Sequence, residues 1–292
     1  MDVLRKLNKK SIRITDFAAQ YWCERQMEYR YIYSKWEKSK EIEKGKAMHE
    51  VMESEVNIPV LMQPKSYSDY VYKVLYSNYM VLKSLKENKK ARELQIFGNI
   101  EGFAISGKID ELVIKDNKIV IYEDKTKSND NIPTETQMLP NKIQIIFYKK
   151  ILDDMIHNKY GIQEFSKFYG VQKLKLSEEF ISQLDNQRID KNDQDIDKML
   201  HLMFSSFSSL QDISDKLHIR YTNQISGRLI KEYTLTYNDN DFDNIKKHVM
   251  NYWKGTREAL AVPYEEKWKC NYCVFFGNKC KIWWEDKQKV IK

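Results

Sequence analysis

The sequence predicts an α/β protein. Three observations carry that class. Apolar residues recur at helical spacing in the first part of the chain, with Val71, Val74, Leu75, Leu82 and Leu85 on one face. The period then switches to two between Glu93 and Lys125. Helical spacing returns after that, interrupted once by a second short strand pair. Of the 292 residues 42% are hydrophobic, enough for a core and too many for a disordered chain.

Taken in order, residues 15–55 read as mainly helix, with Thr15 and Asp16 as caps and no proline before Pro59. A helix runs over 68–89. Residues 93–125 form a three-strand meander, turned first at Gly98-Asn99 and then at Asp116-Asn117. Its third strand, KIVIYEDK, starts apolar and ends charged, as a buried strand does when it surfaces at its tip. A helix follows from about Pro140 to His157, with proline acceptable at its start. Residues 158–215 read as helical, with a polar surface loop at Asp190–Asp197. Residues 217–222 and 229–237 pair around Ser226-Gly227, and a helix over 241–259 leads to a cysteine-rich tail. No Pro/Gly-rich linker or repeat divides the chain, so it is read as a single domain, 1–292.

The net charge of +7 suits a polyanionic partner. No apolar run is long enough to span a bilayer, and the start MDVLRKLNKKSIRI has no apolar h-region, so an intracellular protein with no membrane is expected. Thiols stay reduced there, and the four cysteines need an explanation other than disulfides.

Chemistry concentrates at Gly107-Lys108-Ile109-Asp110 and Glu123-Asp124-Lys125. Residues two apart on a strand share a face, so Glu123 and Lys125 point together and Asp110 can lie across from them. Two carboxylates and an ammonium make a cradle for a hard divalent cation, and phosphodiester hydrolysis needs those parts. An ordinary salt-bridged hairpin uses the same letters. Asp124 is acidic where a buried strand would carry an apolar residue, and it must find solvent or a cation such as Lys127. Upstream, His49 in Gly45-Lys46-Ala47-Met48-His49 is a candidate metal ligand. Downstream, Gln144 and Tyr148 are four apart on a helix and could bond a phosphate or stack on a base.

The ordered set of helix histidine, GxxD, ExK and QxxxY, over residues 40–150, resembles the RecB-type branch of the PD-(D/E)xK nucleases. The resemblance implies a restriction-endonuclease-like core, a mixed central sheet flanked by helices. It implies that His49, Asp110 and Glu123 bind magnesium or manganese and that Lys125 is catalytic.

Cys270 and Cys273 form a CxxC, Cys280 follows, and Cys23 is the one remaining thiol that can complete a four-ligand site. Spacing leaves iron–sulfur, zinc and unrelated cysteines open. One N-terminal and three C-terminal cysteines on a RecB-type nuclease resemble the iron–sulfur nucleases, which implies a structural [4Fe–4S] cluster clamping the chain ends. The tail holds Lys267, Trp268, Lys269, Lys279, Lys281, Trp283 and Trp284, which suit either strand binding or shielding of the cluster.

The long segment between Tyr148 and Cys270, and the phrase SIRITDFAAQYWCERQMEYRY around Cys23, resemble the exonuclease V family more than the CRISPR-associated nucleases. That implies hydrolysis of single-stranded DNA from a free end, leaning 5′→3′, in repair or replication, with a single-strand-binding protein as a conceivable partner. Residues 59–91 are expected to arch over the site, with Lys83, Lys86, Lys89 and Lys90 guiding the backbone. Residues 158–262 are expected as a helical and hairpin insertion and 263–292 as the cluster-binding tail. A CRISPR-associated nuclease acting in spacer acquisition, and a zinc-stapled nucleic-acid-binding protein without catalysis, are the alternatives.

Overall fold

The computed structural model describes residues 3–34, 40–57 and 61–283. The chain opens with a short helix α1 (Val3–Lys6), a two-residue strand β1 (Ile12–Arg13) and α2 (Ile14–Ile32). Then come α3 (Lys40–Ser54), α4 (Tyr67–Asn88), and the meander β2 (Lys90–Ile100), β3 (Phe103–Lys115) and β4 (Lys118–Lys127). Helices α5 (Glu135–Ile156), α6 (Ile162–Tyr169), α7 (Glu178–Asn186) and α8 (Ile196–Ser208) follow, then β5 (Lys216–Asn223), β6 (Leu229–Thr236) and α9 (Asp239–Trp253). The mixed α/β class and the central sheet flanked by helices agree with expectation.

Among the described residues six strands form one sheet with β3 as its hub. Strand β2 runs antiparallel along one side of β3. The other side is shared. Strand β1 pairs there in parallel at Ile105 and Ser106, and β4 pairs antiparallel from Glu111 onward. Among the described residues, 107–110 therefore have no ladder partner on that side, and the sheet opens where Asp110 stands. Strand β5 pairs in parallel with β4, from Tyr122↔His218 to Lys127↔Asn223, so the second hairpin extends the central sheet directly beside the ExK strand.

Each hairpin turn follows from residues that tolerate left-handed backbone. Asp116 and Asn117 have φ of 48° and 58°, the two-residue turn that was expected. The first turn is not at Gly98-Asn99. It is at Glu101 and Gly102 (φ 51° and 88°), with the Asn99 side chain accepting the Gly102 N–H at 2.9 Å. Gly98 lies inside β2, where the Ile151 side chain of α5 packs so closely that a Cβ would sit 2.6 Å from its Cδ1.

Other boundaries also differ. The expected helix over 15–55 is two helices, and α2 breaks at Cys23, whose backbone is extended (φ −170°, ψ 113°). Asp16 lies in the first turn and accepts the Arg13 N–H at 2.9 Å. Helix α5 starts at Glu135, capped by Thr134, and carries Pro140 inside its second turn rather than at its start. Helix α9 ends at Trp253, short of 259.

The core is one continuous cluster on the sheet. Helix α4 buries Val71, Val74, Leu75, Val81, Leu82 and Leu85, and it packs on β2 and α8. Each such side chain contributes about 1.5–3 kcal/mol of burial. So α4 is a packed helix; Lys86 bonds Ser209 (2.5 Å) and Lys90 pairs with Glu111 (2.9 Å). It also protects the free edge of β2. Asn78 bonds both backbone groups of Gln95, and Asn57 does the same at Arg92, replacing a neighbouring strand. Among the described residues, no helix is long and apolar enough to cross a membrane.

Candidate active site

Strand alternation and the β3–β4 register put Asp110, Glu123 and Lys125 on one face, toward α5. Glu123 is fully buried, and among the described residues only the Lys125 ammonium, against Oε1, meets its oxygens. Burial, and then the neighbouring Asp110, push the Glu123 carboxyl well above the usual carboxylate range. Burial also raises Asp110, with Lys125 and His49 opposing, and its Oδ2 accepts the Asp124 N–H at 2.8 Å. Burial alone would lower Lys125. The charges of Glu123 and Asp110 outweigh it and hold the ammonium above its ordinary value.

Helix α3 brings His49 to the same place. His49, Glu93 and Asp110 each offer a ligand atom within 4.8 Å of the others. Glu123 stands outside that group, against Lys125. His49 Nδ1 is 3.4 Å from Glu93 Oε1, and this contact raises the imidazole above its ordinary value against the pull of burial. Glu93 is held below the usual range. Burial opposes this, but its bonds to His49 and to Lys108 (2.6 Å) prevail.

Glu93 is the residue that the sequence reading missed. It lies between the pairs Leu94↔Ile109 and Arg92↔Glu111, directly opposite Asp110. Its φ of 59° is left-handed, a conformation that costs a residue with a side chain about 1–2 kcal/mol and clusters at functional sites. The misplaced first turn concealed it, because only the register set by Glu101-Gly102 sets residue 93 against 110.

Gln144 and Tyr148 are mostly buried, on the wall of a second cleft that Arg13, Thr15, Lys108 and Asp110 also line. Gln144 donates to the Tyr148 hydroxyl at 2.7 Å and accepts from Lys125 at 3.5 Å. The pair stands behind Lys125. The Tyr148 ring touches Gly107, where a Cβ would be 2.9 Å from Cε1 and 2.6 Å from Ile14 Cδ1. Asp124 finds neither solvent nor Lys127. It is buried between Arg92 and Arg220.

These groups line an open cleft of about 640 Å³ that includes Lys46, His49, Glu93, Lys108, Asp110 and Lys125. The donor set is oxygen plus one imidazole, and Glu123 adds a buried carboxyl beside Asp110. That suits a hard or borderline divalent cation such as magnesium or manganese.

The four cysteines line one small cavity between α2 and the tail. The break at Cys23 frees the Arg25 N–H, which bonds the Leu260 carbonyl at 3.1 Å. Around the cavity, Trp268 packs edge-on against Trp22, and Trp283 packs against Tyr264 and donates to the Val262 carbonyl. Lys269 is buried, bonded to Glu266 and the Trp22 carbonyl. These three side chains pack around the lobe. Trp284 lies outside the described residues.

The chain matches the family described as exonuclease V, a 5′ deoxyribonuclease, over residues 1–118, 113–201 and 186–284. It is 26% identical over 283 residues to an exonuclease V of Danio rerio, covering 93% of this chain and 70% of that one. A solved structure titled "Crystal structure of SSO0001" aligns over 96% of each chain with 14% identity and a TM-score of 0.44, too low to add to the argument. The match to the family spans nearly the whole chain, motifs and cysteines included, and the chain belongs to the exonuclease V family.

Proposed function

We propose that this protein is a magnesium- or manganese-dependent exonuclease that hydrolyses single-stranded DNA from a free 5′ end. The observation that carries the reading is the Glu123 carboxylate. It is fully buried beside Asp110, next to the cleft that Asp110 and Lys125 line, and among the described residues only the Lys125 ammonium meets its oxygens, an arrangement that makes sense when a cation shares it. Asp110, Glu93 and His49 would hold the ion, with Glu123 as a further carboxylate. A cation there supplies Lewis-acid polarisation of the scissile phosphate and a water of lowered pKa. Lys125, kept protonated by Glu123 and Asp110, acts as a fixed charge and hydrogen-bond donor to the attacking water or a phosphoryl oxygen, not as the base. Gln144 and Tyr148 keep its ammonium aimed.

The cysteine lobe is read as a [4Fe–4S] site that ties α2 to the tail. Four thiols facing one cavity support this. The activity belongs to intracellular DNA repair or replication, where a single-strand-binding protein could present the substrate.

The test compares a linear single strand, the same sequence circularised, and its duplex, all in magnesium. The reading expects the linear strand to be shortened and the circle and duplex to survive. Rapid cutting of the circle would mean an endonuclease.

A further inference from the structure

Behind the site, on the other face of the same strands, four charged side chains close a ring. The Arg92 guanidinium bridges Glu111 and Asp124, each at 2.6 Å. Arg220 bridges the same two carboxylates from the other side, at 2.7 Å to Asp124 and 2.8 Å to Glu111. Arg92, Glu111 and Asp124 are buried, and Arg220 is mostly covered. One member comes from each of β2, β3, β4 and β5.

The ring's members are chain neighbours of the site. Arg92 precedes Glu93, Glu111 follows Asp110, and Asp124 stands between Glu123 and Lys125. Alternation sends the neighbours to opposite faces of the sheet. Burying two ion pairs is a poor route to stability, since apolar residues of similar volume would often do as well. Two planar guanidinium forks do something apolar packing does not: they fix the distance and angle between the groups they bridge.

We propose that this ring is the positioning device of the metal site, with Arg92 and Arg220 acting through Glu111 and Asp124 to hold Asp110, Glu93, Glu123 and Lys125 in metal-binding geometry. The inference rests on the metal-site reading above. Neither arginine touches the cation or the DNA. The proposal accounts for the acidic residue inside the ExK motif. It also gives the motif-free second half of the chain a part in the site, because Arg220 on β5 closes the ring.

The test uses the full chain, with its cysteine lobe loaded, as Arg220→Lys, Arg220→Gln and the double variant Arg220→Gln/Asp124→Asn, which removes one charge of each sign. Folding is followed by thermal melting, Mn²⁺ binding by electron paramagnetic resonance, and DNA hydrolysis with kcat and KM resolved. In Arg220→Gln, Mn²⁺ affinity is expected to fall about 10- to 100-fold with an altered spectrum, and kcat to fall while KM for DNA holds. Arg220→Lys keeps the charge without the fork and should recover part of the loss. The double variant should regain thermal stability without regaining Mn²⁺ affinity. If Arg220→Gln does not fold, the other two variants decide. Wild-type Mn²⁺ affinity, spectrum and turnover in the folded variants would overturn the inference and leave the metal-site reading standing. A wild-type protein that binds no Mn²⁺ would overturn both.

Discussion

Asp110, Glu123 and His49 all hold their protons more tightly than usual, and a cation must displace those protons to bind. A raised carboxyl and a raised imidazole have the same sign here, since each must deprotonate to become a ligand. Glu93 is already ionised. Mn²⁺ affinity should therefore rise with pH from the acid range toward neutrality, with protons released on binding. Calorimetry in buffers of different ionisation enthalpy measures that release; a pH-independent affinity would contradict it. Glu93→Gln should weaken Mn²⁺ about as much as Asp110→Asn, about 10-fold or more, because each offers a ligand atom within 4.8 Å of the other and of His49. Asp110, Glu123 and Lys125 were legible in the sequence because strand alternation depends only on local spacing. Glu93 was not, because cross-strand pairing depends on where the turn falls, and Gly98-Asn99 looks more turn-like than Glu101-Gly102.

The elements were mostly legible, and their errors share a cause. Helix α4 and the strands of the meander follow hydrophobic period, and the structure places them within a few residues of expectation. Misread positions are those where tertiary contact overrides local preference: Gly98 kept in a strand by Ile151, Pro140 held inside α5, and Cys23 pulled out of helix beside the tail. The free edge of β2 gives a prediction at this scale. Asn78 is buried and bonds both the N–H and the C=O of Gln95. Asn78→Ala should cost about 1–3 kcal/mol, because it leaves buried backbone groups unpaired. Urea unfolding checks this, and a loss near zero would mean that water replaces the side chain. Gly107→Ala should destabilise by about 1–3 kcal/mol, since the new methyl meets Ile14 and Tyr148 and both helices must yield.

At the scale of the molecule, the chain is closed at its ends and at its sheet. The cysteine lobe joins α2 to residues 260–283, and the parallel β4–β5 pair joins the ExK strand to the second half. The closing of the ends was visible as a lone cysteine far from three others. The second half was legible only as helices and a hairpin, because parallel pairing leaves no local sequence signal. If the lobe holds a cluster, protein purified without oxygen should be brown, with about four irons and matching sulfide. Cys270→Ala should lose colour and melting temperature together, because a lost ligand opens the cage and frees both ends. Stoichiometric zinc without sulfide would contradict the cluster.

The most direct test of the account is single-turnover digestion of a 5′-labelled linear single strand in magnesium by the wild type and by Lys125→Ala. The account predicts that the variant binds the strand normally and cuts it about 100-fold or more slowly, since a preorganised charge at the reaction centre is lost. Cutting at near wild-type rate would show that hydrolysis does not occur at the Asp110–Glu123–Lys125 site.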